Sequence, residues 1–148
     1  MSRLAVPVLA ALLCVACSKQ SPEPTPPQSL ASETITDESG EMAVGIGYQP
    51  AGTGAIDFVV ELKGKGTQEM DKVVVELAAD GFDFVAGEMQ WSGFVPPHTK
   101  HKHAVSLQAQ DGLEEATVIV TVARSADSEV LLRHEVPFRV GAGSVTPL

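Results

Sequence analysis

Between Glu41 and Val140, apolar side chains recur at every second position in short runs, and this period constrains the chain more than any other feature. In the run from Ala55 to Lys63, Ile56, Phe58, Val60 and Leu62 fall on one face, while Asp57, Glu61 and Lys63 fall on the other. Val73, Val75 and Leu77 alternate in the same way with Val74, Glu76 and Ala78, and Val118, Val120 and Val122 form an inward row. A period of two is the pattern of a strand that is packed on one face and wet on the other.

Seven such runs occur, over residues 42–49, 55–63, 71–78, 82–86, 100–110, 115–124 and 129–140. Turn signals separate them: Pro50-Ala51-Gly52, Gly64-Lys65-Gly66, Asp80-Gly81, Pro96-Pro97, Asp111-Gly112 and Ala126-Asp127. Short strands at this spacing predict an all-β fold, an antiparallel β-sandwich of about seven strands. A closed barrel is the alternative architecture. Pro137 predicts an edge or a bend in the last run. The stretch from Met70 to Val122 resembles the immunoglobulin-like modules of bacterial envelope proteins. The resemblance rests on Val73-Val74-Val75-Glu76-Leu77, Asp80-Gly81, Trp91-Ser92-Gly93, His103-Ala104-Val105-Ser106-Leu107 and the strand from Val118 to Val122. It implies an immunoglobulin-like sandwich and no particular activity, because such folds host unrelated functions.

The beginning of the chain follows different rules. Arg3 precedes an apolar stretch from Leu4 to Leu13, and small residues then lead to Cys17. This is the layout of an export signal. The stretch is too short to span a bilayer comfortably, which takes about 20 apolar residues. Cys14 and Cys17 have C-x-x-C spacing, but a redox pair needs a strand and a helix around it, and Cys14 lies inside the apolar stretch. Leu13-Cys14-Val15-Ala16-Cys17 instead resembles the lipobox of bacterial lipoproteins, with Cys14 standing where that family usually has Leu. The resemblance implies cleavage before Cys17 and acylation of Cys17, and Ser18 at the next position implies sorting to the periplasmic face of a Gram-negative outer membrane. In a Gram-positive host the same anchor implies the outer face of the single membrane. Two or more acyl chains give stable attachment, whereas one is marginal.

After Cys17, Pro22, Pro24, Pro26 and Pro27 sit among Ser, Thr and acidic residues with few large apolar side chains. Such composition cannot offset the entropy of ordering and predicts a tether. The expected organisation is a signal peptide over 1–16, a lipidated Cys17 with a disordered tether to 40, a β-sandwich over 41–141 and a flexible tail over 142–148.

Nineteen acidic against ten basic residues give a net charge of −9, and no Lys/Arg cluster is present to neutralise phosphates, so nucleic acid is not expected as a partner. No G-x-S-x-G elbow occurs, and Gly64-Lys65-Gly66-Thr67 lacks the spacing of a phosphate loop, so its glycines are expected to make turns. Asp80 and Asp83 do not match a calcium loop, and adjacent Glu114 and Glu115 would face opposite ways on a strand. No nucleophile, base and orienting group stand together, and an enzyme is not expected.

Two clusters remain. Trp91-Ser92-Gly93-Phe94-Val95-Pro96-Pro97 offers Trp91 and Phe94 as partner-binding residues, although Trp91 serves equally well to close one end of the core. His98, His101 and His103 lie within six residues, and His101 and His103 share the parity of Val105, Leu107 and Ala109, while Lys100 and Lys102 take the wet face. Neutral imidazoles at this spacing suit zinc or copper, with Met89 or His134 as a fourth ligand; they also suit a polar rim where the strand leaves the core. The expectation is therefore a non-catalytic binding or assembly module without a cofactor, held to the membrane through acylated Cys17 and engaging an envelope protein. A periplasmic lipoprotein that binds Zn or Cu through His98, His101 and His103 is the alternative.

Overall fold

The computed structural model describes residues 26–148, so the expected signal peptide, Cys17 and the first part of the expected tether lie outside the described residues. Ten strands follow in order: β1 (Gln28–Asp37), β2 (Gly40–Pro50), β3 (Ala55–Lys65), β4 (Val73–Asp80), β5 (Phe82–Gly87), β6 (Gln90–Gly93), β7 (Lys100–Ala109), β8 (Glu115–Arg124), β9 (Val130–Gly141) and β10 (Ser144–Pro147). They form two five-stranded antiparallel sheets, ordered β1-β2-β3-β7-β5 and β10-β9-β8-β4-β6. The described residues form an antiparallel β-sandwich, with ten strands rather than seven. Among the described residues no helix is long and apolar enough to cross a membrane.

All seven apolar runs are strands, and their phases hold. Ile56, Phe58, Val60 and Leu62 of β3 are fully buried, as are Val118, Val120 and Val122 of β8. Phe138 of β9 locks the two sheets together at one end of the core. Its ring meets Tyr48, Phe58 and Phe82 of the facing sheet edge-on, at centroid distances of 5.5, 6.4 and 5.8 Å. Edge-to-face packing of this kind adds to the burial energy of each ring.

The other end is closed by charge. Arg124, at the end of β8, reaches across the gap to Asp37 of β1 and also pairs with Asp127 at 2.9 Å and Glu129 at 2.8 Å. The hydrogen bond from Arg124 holds the Asp37 carboxyl below the usual carboxylate range. The same bond pushes the guanidinium further up, with no change of charge at any accessible pH.

Three expectations are corrected here. The tether does not extend to residue 40, because 28–37 is β1, paired with β2 from Gln28↔Tyr48 to Asp37↔Gly40. Its sequence is polar because only Ile35 is deeply buried; the strand is held by the backbone ladder and by Arg124. The tail is not free either, since β10 pairs with β9 and Val145 enters the core. Gly64 makes no turn. It lies within β3, where the loop before β7 passes so closely that a Cβ would meet the Pro96 carbonyl oxygen at 2.0 Å.

Phe138→Ala should cost about 3–5 kcal/mol in urea unfolding, whereas Lys63→Asp on the wet face should change stability little. A chain beginning at residue 41 should be measurably less stable than one beginning at residue 26, since it loses Ile35 and Asp37. The Asp37 contribution is complete above the carboxyl's unfolded pKa of about 4 and is lost as pH falls through its lower folded value. Asp37→Asn should therefore lower the melting temperature at pH 7, and the gap to wild type should close towards about pH 2.

Candidate functional site

The alternation of β7 carries His101 and His103 inward with Val105 and Leu107, because the opposite phase would bury Lys100 and Lys102. His101 stands beside Leu62 of β3 and His103 beside Val60. His103 is only 5% exposed, and the Nε2 atoms of both imidazoles are buried without a hydrogen-bond partner. Burial, and then the neighbouring His103, hold the His101 pKa below the usual imidazole value.

The wall opposite is β6. Its four residues pair with the first half of β4, placing Trp91 beside Val75. The indole stacks on His101 with ring centroids 3.9 Å apart and planes 19° from parallel. Gly93 makes room for it, since a Cβ there would lie 2.7 Å from the indole ring. Trp91 thus closes the core, half-buried, and is not a free rim residue. Phe94, next in the loop, is 57% exposed.

The other candidates disperse. His98 is exposed on the loop before β7, in a left-handed conformation with φ 62°, and its N–H donates to the Gly64 carbonyl at 3.1 Å. His134 belongs to β9 and faces Glu33 of β1, with 3.9 Å between Nδ1 and a carboxylate oxygen. Three strand spacings, about 14 Å, separate β9 from β6, so His134 does not join the pair on β7. Among the described residues no group of three or more His, Cys, Asp or Glu side chains is placed to hold a metal ion. The three-histidine arrangement is not assembled; two buried imidazoles and an indole are.

The pairing of Trp91 with His101 had no signal in the sequence, because it depends on which strand borders β4. A second unanticipated feature is an apolar edge. Phe84 and Val85 of β5 are 53% and 60% exposed. Phe84 pairs with Leu107 and shares its inward face, but β6 covers β4 only from Val73 to Glu76, so the opposite sheet is one strand narrower beyond that point. The register slips between Phe84 and Ala86, which turns Val85 outward. On the outer face of β3 and β7, Ser106 Oγ donates to Asp57 at 2.6 Å, in a shallow trough also lined by Val59, Lys102 and Ala104.

Unfolded His101 takes up its proton at the usual value of about 6.5, before the folded residue does. Stability should then fall as pH drops through about 6.5 towards the lower folded value. His101→Phe, which keeps a ring against Trp91, should flatten that slope in thermal melts; an unchanged slope would assign it to other groups.

No family model matches the chain, and no curated protein matches it. Among solved structures it is similar to a FixG-related protein from Vibrio parahaemolyticus, at 10% identity over 68% of this chain and 97% of that one, with a TM-score of 0.49.

Proposed function

We propose that this protein is a lipid-anchored module of the bacterial cell envelope that binds a partner protein and performs no chemistry on it. The anchor is Cys17, acylated at the periplasmic face of the outer membrane, and the Pro-rich segment after it is the stalk. The observation that carries the binding role is the edge at β5. Among the described residues this strand pairs on one side alone, with β7, and it bears Phe84 and Val85. Natural sheets usually protect such an edge with charge, and an extended partner segment can add to it through backbone hydrogen bonds while apolar side chains select the partner. Phe94 extends the same side. Two residues join β5 to β6, so the two edge strands border one flank of the sandwich.

Cys17→Ser should abolish incorporation of labelled fatty acid and release the protein from the detergent-requiring membrane fraction. Wild-type protein that takes up no label and is recovered soluble would refute the anchor. For the edge, a photo-crosslinking residue at Val85 of the acylated chain should give one discrete adduct in intact envelopes. Phe84→Lys combined with Phe94→Lys should remove the adduct, and Val130→Lys, at an exposed position on β9, should not. Absence of any adduct, or equal loss in both variants, would sink the edge-binding role.

A further inference from the structure

Two imidazoles turned into an apolar core with their Nε2 atoms unpaired are an anomaly, since a buried polar group without a partner costs about 1–3 kcal/mol. A sandwich of this size has ample Val and Leu with which to fill the same row. The two rings leave adjacent inward positions of one strand, about 6.8 Å apart along it, a spacing that one ion can bridge through two nitrogens. A third donor stands on the facing wall. Met89 lies two residues before Trp91, packs against the core, and has its backbone fixed by the Leu77 N–H, which donates to the Met89 carbonyl at 2.7 Å.

We propose that His101, His103 and Met89 form a binding site for Cu(I), capped by the indole of Trp91. The donor set selects the ion. Two neutral imidazoles are borderline donors and the thioether a soft one, and together they suit a monovalent copper ion of low coordination number. Zinc and Cu(II) call for further ligands, usually charged, and no carboxylate converges here among the described residues. A single positive charge is also the least costly to bring into an apolar site, and the indole face offers it further stabilisation. The nearby cations do not oppose it at contact range: Lys100 and Lys102 take the outer face of β7, where Lys100 lies 3.6 Å from Glu61. Each imidazole gives the lone pair of Nε2 and keeps its proton on Nδ1, so binding involves no redox change. This site is independent of the partner edge on β5.

The test is an anaerobic titration of the full-length chain with Cu(I), supplied as its acetonitrile complex against a chromophoric Cu(I) chelator. Cys14→Ser and Cys17→Ser remove competing thiols. The single tryptophan of the chain, Trp91, reports binding directly. Its fluorescence should be quenched with a break at one equivalent, and Zn²⁺ at equal concentration should leave it unchanged. Met89→Leu should weaken binding by at least about tenfold, His101→Phe and His103→Leu should abolish it, and His98→Ala should bind as wild type. If His103→Leu does not fold, His101→Phe and Met89→Leu decide the matter alone. The proposal is overturned if Cu(I) leaves Trp91 unquenched, if His98→Ala loses binding, if His101→Phe or Met89→Leu binds like wild type, or if Zn²⁺ binds more tightly than Cu(I).

Discussion

The gap between two facing sheets, about 10 Å across, is the constraint from which the other features of this protein follow. Phe138 stands in that gap with Tyr48, Phe58 and Phe82 around it and fixes which face of β2, β3, β5 and β9 turns inward. Once β3 is phased, its ladder with β7 phases that strand as well, because Phe58 pairs with Val105 and Val60 with His103. The inward histidines are thus a consequence of register. Moving them out would require a slip that turns Lys100 and Lys102 into the core, and that slip costs far more than two unpaired imidazoles.

Where a strand buries a full row, its phase could be read directly from the residues. Ile56 to Leu62, Val73 to Leu77, Val118 to Val122 and the inward placement of His101 and His103 all follow from parity. The edge strands could not be read this way. β1 carries one deeply buried side chain among Ser, Thr and Glu, and its support comes from pairing with β2 and from Arg124, which is distant in sequence. β6 has four residues and β10 has four, too few for a period to show. Gly64 reads as a turn residue because close approach of a loop leaves the same mark on a sequence as a turn does. The stack of Trp91 on His101 joins residues whose proximity depends on the chain changing sheets after β5.

The two ends of the core are closed in different ways. At Phe138 the closure is apolar and insensitive to pH. At Arg124 a largely covered guanidinium gathers three carboxylates from β1 and the β8–β9 turn, tying the first described strand to the far sheet. That tie explains how so polar a strand as β1 is retained: the Arg124 side chain is 19% exposed and that of Asp37 only 11%, so water screens the pair weakly.

Local rules of polarity are broken in two ways on the β5–β6 flank, although Leu113, Val130 and Leu148 are exposed apolar residues elsewhere. Imidazoles enter the core from β7, beside β6, and aromatic and aliphatic side chains stay outside it on β5 and in the loop after β6. A consistent sequence would exchange them, with apolar residues inward and polar residues outward, and would gain stability by doing so. Along β3, β4 and β8 the inward positions are apolar and buried in the ordinary alternating pattern. The β5–β6 flank brings the exposed Phe84, Val85 and Phe94 near the buried imidazoles of β7, and both the proposed partner edge and the proposed copper site draw on it.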